Sequence, residues 1–186
     1  MLSERQRQTL LKIARESIAA VLSGSTIDLE GYAVDDALRR PAGAFVTLTT
    51  ADDDLRGCIG SIVAREPLYK AVSSSAISAA LRDPRFPSVR ANELPSLHLE
   101  ISVMGPIERV NDVSEIETGR DGLIISRGAY AGLLLPQVAT EYGWGRDEFL
   151  DHTCMKAGLP TGAWRSAETT IEKFSAEVFA EQNAAN

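Results

Sequence analysis

From Leu97 to Met104 the chain alternates without a break. Leu97, Leu99, Ile101 and Val103 fall on one side, and His98, Glu100, Ser102 and Met104 fall on the other. Successive side chains of a strand point to opposite faces, so the stretch predicts a half-buried strand over 98–104 with one apolar and one polar face. Gly105-Pro106 is expected to end it. Such a strand needs neighbours, and the rest of the chain supplies them as hairpins. Ala44 to Thr49 is rich in aromatic and β-branched residues, Asp52-Asp53-Asp54 makes a turn, and residues 55–62 return as a second arm. Strands over 122–126 and 129–135 flank Arg127-Gly128 as a second hairpin, and a last strand is expected over 169–179.

The helices are announced by their ends. Ser3 has Gln6 three residues on, the spacing of a capping box, and Leu10, Ile13, Ala14, Ser17, Ile18 and Val21 recur at helical spacing until Gly24. Pro67 suits a first helical turn. Leu68, Val72, Ala76, Ala79 and Ala80 line that helix until Asp83-Pro84 stops it. Ser73-Ser74-Ser75 interrupts none of this spacing and is no linker. A third helix starts at Pro136 and ends by Gly143. A fourth runs from Arg146 to Ala157 with Phe149, Leu150, Thr153 and Cys154 as its periodic face. Residues 25–43 read as an approach loop, residues 107–121 as irregular chain, and Glu181 to Asn186 as a polar tail. Hairpins dominate and no regular βαβ repeat appears, so the class is α+β with mainly antiparallel sheet and flanking helices. With 186 residues and no Gly/Ser/Pro-rich linker, the chain makes one domain.

Composition narrows the function. A net charge of -7 and a pI near 4.9 disfavour nucleic acid, and no aromatic-basic motif argues otherwise. No apolar run approaches the ~20 residues that cross a bilayer, and the N-terminus lacks a signal-peptide pattern. Cys58 and Cys154 are too few for a disulfide framework. These features point to the cytoplasm and to no membrane.

The chemically suggestive stretch is Leu55-Arg56-Gly57-Cys58-Ile59-Gly60. Gly57 and Gly60 permit close approach of a ligand or another backbone. Cys58 can be a nucleophile if a cation, a histidine or a helix N-terminus lowers its pKa. Arg56, two residues away along a strand, is expected on the same face about 7 Å off, and the helix from Pro67 can aim its positive end there. The competing reading is a small buried hydrophobe. Arg82 and Arg85, beside prolines, join Arg56 as candidate anion binders, their alternative being ion pairs or surface solvation. Glu100 is the candidate acid or base, and His98 shares its face. His152, two residues before Cys154, points to a different side of its helix. No paired-ligand spacing favours a metal, Asp52 to Asp54 lacks an EF-hand pattern, and no phosphate loop is present.

Taken together, Leu55 to Gly60, Ala80-Leu81-Arg82-Asp83-Pro84-Arg85-Phe86, Glu93-Leu94-Pro95, Glu100 to Val103, Gly132 to Ala139 and Lys156 to Pro160 resemble the AMMECR domain family, whose prokaryotic members are called AmmeMemoRadiSam system protein A. The match spans roughly residues 5 to 180. One departure is Trp144-Gly145, where members often carry Trp-Asp. The resemblance implies two unequal lobes around a cleft, the larger drawn from both chain ends, with the Cys58 segment near the cleft. It implies partners similar to Memo proteins and radical S-adenosylmethionine proteins. It supplies no reaction and no cofactor. Two readings stand: an enzyme or enzyme-complex component centred on Cys58, and a non-catalytic module that binds a ligand or protein.

Overall fold

The computed structural model describes residues 1–181, so nearly all of the expected polar tail lies outside the described residues. Helices α1 (Glu4–Leu22), α2 (Asp36–Arg39), α3 (Leu68–Leu81), α4 (Pro136–Tyr142) and α5 (Arg146–Lys156) accompany six strands. These are β1 (Ala44–Thr49), β2 (Leu55–Ser61), β3 (His98–Arg109), β4 (Asp121–Arg127), β5 (Tyr130–Leu134) and β6 (Thr170–Ala180). The strands are hydrogen-bonded in the order β2-β1-β3-β6-β4-β5. β1 pairs antiparallel with β2 and β3, and β4 pairs antiparallel with β5 and β6, so the α+β class stands.

The local rules act as expected at most ends. Ser3 N–H donates to Gln6 Oε1 at 2.7 Å and Gln6 N–H donates to Ser3 Oγ at 3.4 Å, closing the capping box. Gly145 caps α5, where Glu148 Oε2 accepts its N–H at 2.9 Å, so the departure from Trp-Asp costs no helix start. Two elements differ from expectation. The approach loop contains α2, because the Asp35 carboxylate accepts from Ala37 and Leu38 N–H and Leu38 is wholly buried. β3 also runs through Gly105-Pro106 to Arg109. A side chain at 105 would lie 2.2 Å from Ser175 Oγ, so Gly105 serves close contact there and does not stop the strand.

The chain forms two compact units. One comprises residues 1–104 with residues 177–181. In it α1 and α3 cover one face of β1, β2 and β3, burying Leu10, Ile13, Val46, Leu48, Leu99 and Ile101 completely. Ser17 and Ser73 hydrogen-bond at 2.8 Å where the two helices meet. The other unit, residues 105–176, packs α5 on β4 and β5 around Phe149, Leu150, Leu123, Ile125 and Cys154. Among the described residues no helix is long and apolar enough to cross a membrane.

Candidate functional site

β1 sits between β2 and β3, and its register decides what the sheet face opposite the core carries. Thr47 lies opposite Cys58 on one side and opposite Glu100 on the other. Residues paired across antiparallel strands share a face, so Cys58, Thr47 and Glu100 form one row. Two strand spacings separate the Cα atoms of Cys58 and Glu100 by roughly 10 Å. Thr49 and His98 make the next pair along the same face. The opposite face, with Val46, Leu48, Leu99 and Ile101, belongs to the core.

Cys58 is half-buried, and the Thr47 hydroxyl donates to its sulfur at 3.3 Å. Beyond Thr47 the face dips into a hollow of about 290 Å³ to which Thr47, Thr49, His98 and Glu100 contribute. One thiol, two hydroxyls, an imidazole and a carboxylate thus converge on one side of the sheet. Cys154, by contrast, is wholly buried, and burial raises its thiol pKa above the ordinary value.

The arginines do different work. Arg56 is the extra residue of a β-bulge, since Leu48 pairs with Gly57 and Thr49 with Leu55. Its side chain leaves the row of Cys58. Nε and one terminal nitrogen donate to Glu93 Oε2 at 3.1 and 3.0 Å, and the other terminal nitrogen donates to the Pro87 carbonyl at 2.9 Å. Arg85 donates to Asp83 through Nε at 2.9 Å and a terminal nitrogen at 2.7 Å, and to the Cys58 carbonyl at 3.3 Å. Asp83 in turn accepts the Cys58 N–H at 2.9 Å. The Asp83–Arg85 pair therefore offers the outer edge of β2 one acceptor and one donor, as a neighbouring strand would. The Arg85 fork holds the Asp83 carboxyl far below the usual carboxylate range, against the opposing effect of burial. Arg82 is exposed where α3 ends.

The two glycines are packing positions. A Cβ on Gly57 would come within 2.3 Å of the Ala79 carbonyl of α3, and one on Gly60 within 2.2 Å of the Ala44 carbonyl. The first N–H of α3, from Leu68, donates to the Arg40 carbonyl at 3.0 Å. His152 stacks on Trp144 with centroids 3.7 Å apart in the other unit. Among the described residues no group of three or more His, Cys, Asp or Glu side chains is placed to hold a metal ion.

The segments around this face also follow a family pattern. A model of the AMMECR1 family matches residues 11–179. The chain belongs to the AMMECR1 family. Among its relatives, protein MJ0810 of Methanocaldococcus jannaschii is 44% identical over 92% of this chain and 88% of that protein. Protein NEQ441 of Nanoarchaeum equitans is 39% identical over 92% and 98%. The crystal structure of the uncharacterised protein PH0010 from Pyrococcus horikoshii superposes with a TM-score of 0.84 at 41% identity, covering 93% of this chain and 90% of that one.

In this AMMECR1 chain, sequence reasoning missed Thr47 and Asp83. Thr47 was within reach, since alternation over 44–49 puts Phe45, Thr47 and Thr49 on one side. Asp83 reads from sequence only as a helix stop before Pro84, and nothing local announces that its carboxylate serves residue 58.

Proposed function

We propose that this AMMECR1 protein is a small enzyme, or one component of an enzyme complex, whose chemistry centres on Cys58. The observation that carries the reading is the row Cys58–Thr47–Glu100, with the Thr47 hydroxyl 3.3 Å from the sulfur. In the proposed step the Cys58 sulfur adds to an electrophilic carbonyl carbon of the substrate: the S–H bond breaks, the S–C bond forms, and the C=O π pair moves onto the carbonyl oxygen. Glu100 receives the released proton through water in the hollow, and Thr47 stabilises the sulfur anion. Gly57, Gly60, Arg56 and Arg85 hold β2 in register, and Arg82 stands outside the row. Working in the cytoplasm with Memo-like and radical S-adenosylmethionine partners is proposed with it, on the family resemblance. The second reading, a ligand- or protein-binding module, is favoured by the commitment of Arg56 and Arg85 to internal partners.

Alkylation of Cys58 against pH separates the two. The enzyme reading expects one thiol to react in the native protein, rapidly below the ~8.5 of a free cysteine, with Thr47→Val moving the profile upward and Glu100→Gln, which removes a negative charge, moving it downward. A profile matching a free thiol, and indifferent to both substitutions, would leave the binding module.

A further inference from the structure

We infer that the loop from Arg82 to Arg90, strapped to the edge of β2 beside Cys58, docks a short acidic segment of a partner protein. The inference goes beyond the thiol site proposed above and stands whether or not Cys58 reacts. Its basis is positive charge presented on a fixed frame. The chain has a net charge of -7, yet this loop carries three arginines, all exposed. The carboxylates of residues 82–93 are those of Asp83 and Glu93, and each is matched, Asp83 by Arg85 at 2.7 Å and Glu93 by Arg56 at 3.0 Å. The side chains of Arg82 and Arg90 form no ion pair or hydrogen bond among the described residues. Arg85 stays 53% exposed despite its pairing, and one of its terminal nitrogens donates to no described group. The loop thus offers two whole guanidinium groups and part of a third.

The loop is held before any partner arrives. Val89 N–H donates to the Ala80 carbonyl at 2.8 Å and Ser88 Oγ to the Leu81 carbonyl at 3.2 Å, so both feet stand on the end of α3. Arg56 donates to the Pro87 carbonyl at 2.9 Å and Arg85 to the Cys58 carbonyl at 3.3 Å, tying the crest to β2. Pro84 and Pro87 fix two of its φ angles. Binding therefore orders little backbone, and its entropic cost falls on the arginine side chains alone. The surroundings set the partner's length. Past Arg56, the start of β2 is preceded by Asp52-Asp53-Asp54, all exposed, which bound the basic surface on that side. A long polyanion or an anionic bilayer would run from the loop onto that acidic turn and meet like charge. A segment with a few carboxylates does not extend so far, and guanidinium forks bind carboxylates through paired hydrogen bonds.

The test is an NMR titration of the isotope-labelled full chain with four probes: a blocked tetraglutamate peptide, its tetraglutamine counterpart, sodium phosphate and a twelve-thymidine oligonucleotide. Tetraglutamate should shift the amide signals of residues 82–90 saturably, with a dissociation constant on the order of 1 mM at low salt, and more weakly in 1 M salt. Arg82→Gln and Arg90→Gln should each weaken it about threefold and keep the wild-type melt, since neither side chain holds a contact in the fold. Arg39 and Lys70 are the internal control. Their heads lie 5.9 and 5.6 Å from the Tyr69 ring centre, drawn onto it, so their signals should move less. Equal shifts at Arg39 and Lys70 would reveal attraction to any cation and overturn the inference. So would equal binding of tetraglutamine, equally tight binding of phosphate, tighter binding of the oligonucleotide, or no saturable shift with tetraglutamate at 50 mM.

Discussion

Asp83 shows how one buried carboxylate can fix the place of a reactive side chain. Its side chain is 2% exposed, and its oxygens accept from Cys58 N–H, Arg85 N–H and the Arg85 guanidinium. β2 is an edge strand, so without Asp83 the amide of Cys58 would face water or nothing. Asp83→Asn removes the charge and turns one acceptor into a donor, facing an N–H or Arg85. Hydrogen bonds to charged groups contribute about 1.5–3 kcal/mol each, so the substitution should lower the unfolding free energy measured in urea at pH 7 by about 2–3 kcal/mol. The pH dependence has a definite sign. The carboxyl's pKa is lowered in the folded chain from an ordinary 3.8, so its stabilisation is complete above that value and is lost as the pH falls through the folded value. The gap between wild type and Asp83→Asn should therefore hold from pH 7 to 5 and narrow below about pH 3.8. A gap that widens towards acid would contradict this role.

At the scale of elements, β2 is pressed between α3 and β1 by residues chosen for what they lack. Gly57 leaves room for the Ala79 carbonyl, and backbone cannot move aside as a flexible side chain can. Gly57→Ala should cost about 1–3 kcal/mol of overpacking, read as a lower melting temperature, and should also slow Cys58 alkylation by shifting the strand that carries it. An unchanged melt would mean that α3 yields. The element boundaries show what could be read in advance. Alternation over 97–104, the Ser3–Gln6 cap and the Pro67 start are local signals, and each element formed where its signal lay. The face shared by Cys58 and Glu100 was half legible: each strand's own alternation is in the sequence, but only the register through Thr47 aligns them. Arg56 misled because a bulge resets alternation, and a bulge depends on the partner strand. Gly105-Pro106 misled because a glycine demanded by a neighbour's side chain looks the same in sequence as one that ends a strand.

At the scale of the molecule, the unit that carries the site is closed by the two ends of the chain. Arg7 donates to Glu177 through Nε at 3.0 Å and a terminal nitrogen at 2.7 Å, and Leu2 N–H reaches the same carboxylate at 2.9 Å. Arg15 binds Glu181 and also donates to the Leu94 and Leu97 carbonyls at 2.9 and 2.7 Å, while Glu181 N–H donates to the Leu99 carbonyl at 3.0 Å. Phe179 is buried against the α1 and α3 core. Glu181 thus holds Leu99, the β3 neighbour of Glu100, so the C-terminal strand supports the site as well as the fold. Both ion pairs are partly exposed and contribute about 1 kcal/mol or less apiece, so Glu181→Gln should lower stability by no more than that. Ending the chain after Ala176 is another matter. Loss of the Phe179 side chain alone costs about 3–5 kcal/mol, and the paired backbone of β6 goes with it. Against a typical total of about 5–15 kcal/mol, the truncated chain should lose the cooperative melt of wild type and the dispersed amide signals of Thr47 and Glu100, while Glu181→Gln keeps both. A truncated chain that still melts cooperatively with those signals in place would show that residues 1–104 hold the site without the C-terminal strand.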